Sequence, residues 1–201
     1  MKHHVAVMVL CSLAVVGSAL ADDLYPPQWR GLDGSTLAAW EFSTSDVNPA
    51  VDLENNPYGP SSMTIWTGVG QQWWPEWEGR LGVWPLSGAL EAVLFNRPEP
   101  LPFKDIQVQI TWRPQVPGGF LTVRETMWGA TGELINETPL ENEWIHSTFL
   151  IRLEPNPAME IVRLDGSVMV DQIVIDTNCI PEPVTLSLLA LGALAMLRRR
   201  R

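Results

Sequence analysis

Between residues 104 and 113 the chain reads Lys-Asp-Ile-Gln-Val-Gln-Ile-Thr-Trp-Arg. On an extended backbone this puts Ile106, Val108, Ile110 and Trp112 on one side and Gln107, Gln109, Thr111 and Arg113 on the other. A period of two is the mark of a half-buried strand, and a helix does not gather those four apolar residues on one face. The pattern returns over residues 144–153, with Ile145, Phe149, Ile151 and Leu153 on the apolar side and Ser147 among them. Residues 90–95 and 120–128 read as further strands. Residues 159–164 and 167–176 flank Asp165-Gly166, which predicts a hairpin closed by a tight type I′ turn.

Proline and glycine punctuate the chain between these runs, at Pro98 and Pro100, over 114–119, and at Pro155 and Pro157. No apolar period of 3.6 residues is sustained for three turns outside the two ends. Short strands at fairly regular spacing predict an all-β fold, a single β-sandwich or jelly-roll-like domain over residues 22–179. Residues 43–62, polar and rich in turn formers, are expected to form its longest loop. A hydrophobic share of 46% against 18% charged suits a packed core rather than a disordered chain.

The two ends follow different rules. Met1-Lys2-His3-His4 is a short cationic start, and residues 5–16 are an apolar run too short to span a bilayer. Ala19 and Ala21 then supply the small-residue pattern that signal peptidase reads. Residues 1–21 are therefore expected to be an export signal, with Asp22 as the mature N-terminus.

At the other end come Pro181, Glu182 and Pro183, an apolar run over 184–197, and Arg198, Arg199, Arg200 and Arg201. The two prolines hold the backbone extended. As a helix the apolar run spans about 21 Å at 1.5 Å per residue, a short transmembrane helix. The arginines favour the cytoplasmic side and leave the rest of the chain outside. The order of motif, helix and basic cluster over residues 180–201 resembles the PEP-CTERM sorting signal of Gram-negative bacteria. That resemblance implies recognition and cleavage by an exosortase-type membrane protease, in bacteria that often make extracellular polysaccharide. It implies a protein exported across the inner membrane, transiently anchored by the C-terminal helix, then placed at the cell surface or outside the cell.

The formal charge is -10, and five of the 13 cationic residues, Lys2 and the four arginines, lie at the ends. The middle is strongly acidic, which argues against nucleic acid as a partner. Tryptophan stands out there, with 10 against 5 Phe and 2 Tyr. The densest stretch holds Trp73, Trp74 and Trp77 with Glu76 in a loop or strand end. Indole faces stack on sugar rings, and a neighbouring carboxylate can hydrogen-bond the hydroxyls. The same indoles can equally bury apolar area in a core. Trp29, Trp40, Trp112, Trp128 and Trp144 are expected to be packing residues.

Catalytic signals are few. His146 is the only histidine beyond the export signal, on the more polar side of its strand, and reads as a surface residue. Neither G-x-S-x-G nor H-E-x-x-H occurs. Glu76 and Glu78, if on one strand face, stand about 6–7 Å apart, between the separations that retaining and inverting glycosidases use. Asp52, Glu54, Asn55 and Asn56, with Asp171 and Asp176 flanking the last strand, form an acidic set without the spacing of an EF-hand. The sequence assigns no catalytic residue, metal or cofactor. Cys179, the one cysteine left after export, has no partner in its own chain. The expected function is structural or adhesive work at the cell surface or in the extracellular matrix. The alternative is a carbohydrate-binding module using the Trp-rich stretch, and behind it a glycoside hydrolase or lyase.

Overall fold

A computed structural model describes residues 22–99 and 101–180. The expected export signal, with Ala19 and Ala21, and the sorting segment, with Pro181, Glu182, Pro183 and Arg198 to Arg201, lie outside the described residues. In chain order the strands are β1 Ser35–Trp40, β2 Leu53–Asn55, β3 Ser62–Trp66, β4 Trp74–Trp77, β5 Arg80–Leu86 and β6 Ala89–Phe95. They continue with β7 Phe103–Pro114, β8 Leu121–Glu125, β9 Glu133–Pro139, β10 Ile145–Leu153, β11 Met159–Gly166 and β12 Val168–Ile180. The fold is all-β, as the alternation predicts. No helix among the described residues is long and apolar enough to cross a membrane.

Two antiparallel sheets face each other. The larger runs β2-β1-β12-β7-β10-β9, with β5 paired to the start of β12 and β4 paired to β5; the smaller runs β3-β6-β11-β8. The predicted apolar side of β7 is the core side: Ile106, Val108 and Ile110 are fully buried, facing Leu90, Leu94, Val162 and Leu164 of the smaller sheet within one cluster. Ser147, the polar member of the apolar side of β10, is buried and satisfied. It accepts from Trp112 Nε1 at 2.9 Å and donates to Glu137 Oε2 at 3.1 Å. A polar group in a core costs little once its hydrogen bonds are made.

The outer face of the larger sheet is covered rather than solvated. Residues 22–30 cross it as a strap tied to the polar side of β7. Tyr25 N donates to Gln109 Oε1 at 2.8 Å, Gln107 Nε2 donates to Tyr25 O at 2.6 Å, and Gln109 Nε2 donates to Asp23 Oδ1 at 2.7 Å. His146 lies under this strap and is 1% exposed, which corrects the surface reading. Its Nε2 is 3.2 Å from Gln109 Oε1 and its Nδ1 is 3.1 Å from Thr111 Oγ1. A carbonyl oxygen only accepts, so Nε2 carries the proton and Thr111 donates to Nδ1. Burial holds the imidazole below its ordinary range.

Other expectations also change. Strands β11 and β12 are successive but lie in different sheets, so residues 159–176 are a crossing and not a hairpin. Asp165 and Gly166 belong to β11, paired to Thr122 and Leu121 of β8. A Cβ on Gly166 would stand 2.4 Å from Phe120 O, so this glycine serves a close backbone approach. The two-residue turn with positive φ is Glu78-Gly79, at 47° and 79°, closing the β4–β5 hairpin. The stretch 43–62 contains β2 and is not a continuous loop. Trp40, Trp112 and Trp144 are buried, but Trp128 is exposed, contrary to its packing assignment.

Candidate binding cleft

Strand β12 contains the irregularity that builds the site. Against β7 its register shifts between Val170 and Gln172, leaving Asp171 as an extra residue. Val170 and Ile173, three apart, both pack in the core. The bulge therefore turns Asp171 and Gln172 together onto the outer face. There they meet the β4–β5 hairpin and the chain leaving β1, around a cleft of about 580 Å³ lined by Glu41, Ser43, Trp73, Pro75, Arg80, Leu81, Asp171 and Gln172.

Each wall has its own support. Trp73 is half-buried against the core, and its Nε1 donates to Phe42 O at 2.9 Å, which pins the indole. Phe42 has a φ of 50°, a conformation an aromatic residue rarely adopts, while its side chain is buried. Arg80 Nη1 is 3.2 Å from Asp171 Oδ2 and also pairs with Asp22 of the strap. Burial pushes the Asp171 carboxyl up to about 7, against the pull of Arg80, and the Asp22 and Glu41 carboxylates push the same way. Gln172 is 2% exposed, and neither its amide nitrogen nor its amide oxygen has a hydrogen-bond partner. A buried amide with both ends unmet is costly in a folded protein.

The Trp-rich stretch is split by the hairpin. Trp73 and Pro75 line the cleft. Trp74 and Glu76 alternate to the other side of β4 and are exposed. Trp77 packs edge to face on Trp144, with ring centres 5.9 Å apart, and the Arg113 guanidinium lies 5.0 Å over its ring. The three indoles therefore form no common platform. Glu78 sits in the turn with positive φ, so it does not share a strand face with Glu76.

Asp171 and Asp176 are buried, not an outward acidic set. Asp176 is gripped by Arg30 and Asp171 by Arg80. Asp52 Oδ2 accepts from Glu41 N, and Glu54 Oε1 accepts from Ser61 N. Among the described residues no group of three or more His, Cys, Asp or Glu is placed to hold a metal ion. Cys179 is buried, its S–H donating to Asn156 Oδ1 at 3.3 Å, and burial pushes its thiol up.

Arg80, Glu41 and Gln172 are cleft residues that the sequence reading passes over. A signal for one of them was present: Asp171-Gln172 places two polar residues in succession between Val170 and Ile173, breaking the period of two. No family model, curated protein or solved structure matches the chain.

Proposed function

We propose that the chain is an exported, non-enzymatic protein of the cell surface or extracellular matrix that adheres to polysaccharide through the cleft beside Trp73. The observation that carries this reading is Gln172, buried at the cleft with a donor and an acceptor both unmet. Adjacent sugar hydroxyls each donate and accept, so a turn of the enclosed Gln172 side chain toward the cleft lets one saccharide unit satisfy both ends of the amide. The indole of Trp73 offers a flat apolar wall for the C–H face of the same ring. A volume of about 580 Å³ suits a small-molecule-sized unit of a longer polymer, since such sites run to roughly 300–1,000 Å³. Binding rather than catalysis is favoured because Arg80 already engages the Asp171 carboxyl.

Export rests on the N-terminal charge order with Ala19 and Ala21, and sorting by an exosortase-type protease rests on Pro181, Glu182, Pro183 and the four arginines. The acidic middle disfavours nucleic acid as the ligand. Titration calorimetry of the purified protein with the host's extracellular polysaccharide tests the binding half. Saturable binding that Gln172→Leu weakens by about tenfold, the equivalent of roughly 1.4 kcal/mol, is expected. No binding, or equal binding by both proteins, rejects it. Changing Pro181 and Pro183 to Ala in the host tests sorting: the tail is then expected to stay attached, and unchanged processing rejects that half.

A further inference from the structure

At the end of the sandwich where β6 leads into β7, three polar side chains are sealed between the sheets. Lys104 stands two residues before Ile106 on β7, Glu160 two before Val162 on β11, and Asn96 two after Leu94 of β6. Period two thus makes each a core position. The Lys104 and Glu160 side chains are 0% exposed and Asn96 is 3% exposed. Lys104 Nζ lies 3.0 Å from Glu160 Oε1, and Asn96 Nδ2 donates to Glu160 Oε2. One carboxyl group therefore bridges an amine from the larger sheet and a carboxamide from the smaller. Lys104 Nζ, Glu160 Oε1 and Asn96 Oδ1 make no aligned hydrogen bond, so the cluster is unsatisfied as three separate side chains.

We propose that Lys104 and Asn96 become joined by an intramolecular isopeptide bond, with Glu160 as the acid–base group that moves the protons. The Nζ lone pair attacks Asn96 Cγ and the C=O electron pair moves onto Oδ1, to return when the leaving group departs, while Glu160 stays on the Nδ2 side where the structure places it. Glu160 then carries a proton from Nζ to Nδ2, the Cγ–Nδ2 bond breaks, and ammonia leaves. A primary amine and a primary amide become one secondary amide and ammonia, with no oxidant or co-reactant. Burial pushes the Glu160 carboxyl up to about 7, and the Glu125 carboxylate adds to that push. Transfer of a proton from Nζ to the Glu160 carboxyl, 3.0 Å away, relieves the enclosure of two charges and frees the amine lone pair to attack. The product ties β7 to the chain leaving β6 through the dry interior.

Peptide mapping of the denatured full chain after trypsin tests this. Arg97 precedes Pro98 and resists trypsin, so cleavage at Lys104 is the informative event. Arg113 precedes Pro114 and resists trypsin in the same way, so the proposal expects peptide 81–124, uncut at Lys104 and lighter by one ammonia, with fragments locating the link between Asn96 and Lys104. Recovery of peptide 81–104 with Asn96 unmodified overturns it, and this wild-type map decides the bond even where a variant fails to fold. Glu160→Gln is expected to restore cleavage at Lys104. A linked peptide in that variant overturns the role of Glu160.

Discussion

Arg30 grips Asp176 in a fork: Nε is 2.7 Å from Oδ1 and Nη2 is 2.7 Å from Oδ2, across a sequence separation of 146. The same guanidinium pairs with Asp23, so one side chain fastens both ends of the strap to β12. The Asp176 side chain is 0% exposed. Removing its partner leaves a carboxyl group enclosed without compensation. Arg30→Ala is expected to cost about 3 kcal/mol in urea unfolding. Arg30→Lys recovers only part of that, because an ammonium lacks the paired donors of the fork. A loss below about 0.5 kcal/mol for Arg30→Ala, the scale of an exposed pair, would contradict the clamp.

Stability is expected to fall as pH rises through the range set by Asp171. Its carboxyl is raised from 3.8 to about 7 in the folded protein. Between those values the native state holds a proton that the unfolded chain releases, so raising the pH favours unfolding. Burial raises Asp176 and Glu160 in the same direction. His146 acts oppositely: its lowered value removes stability as pH falls below about 6.5. The three carboxyls outweigh the single imidazole, so the urea midpoint is expected to be higher near pH 5 than near pH 8. Asp171→Asn is expected to flatten that slope, and an unchanged slope contradicts the assignment.

Gly166→Ala tests the crossing between the sheets. The added methyl would meet Phe120 O at 2.4 Å, a backbone atom held by the pairing of β8 with β11. A loss of about 2–3 kcal/mol is expected, on the scale of overpacking a filled site. A hairpin turn at Asp165-Gly166 would instead lose only about 1 kcal/mol. Thermal unfolding of the variant separates the two.

Alternation made the fold class legible, because Ile106 to Trp112 and Phe149 to Leu153 each keep one apolar side for the core. It did not separate a solvated polar side from a covered one. Gln107, Gln109 and His146 read as surface residues, and the strap over them is held by backbone and amide contacts without apolar periodicity. Asp165-Gly166 carried the local chemistry of a turn, yet pairing with β8 on the smaller sheet prevailed over that preference. The Trp-rich stretch marked the neighbourhood of the cleft, but which indoles share a face depends on where the hairpin turns. Glu78-Gly79 sets that turn, and Glu is not a residue whose positive φ a sequence announces. Lys104 and Glu160 alternate in phase with core residues, so their burial was readable in principle. Their meeting depends on how the two sheets face each other, which no local pattern encodes.

Two neighbouring indoles of the Trp-rich stretch differ in their relation to the cleft. Trp73 lines the cleft, whereas Trp74 alternates away from it on the exposed side of β4. Titrating the host polysaccharide into Trp73→Ala and Trp74→Ala proteins is the most direct measurement. A loss of affinity of at least about tenfold, roughly 1.4 kcal/mol, is expected for Trp73→Ala, with near wild-type affinity for Trp74→Ala. Retained binding by Trp73→Ala, with the loss falling on Trp74→Ala, would contradict binding through the cleft.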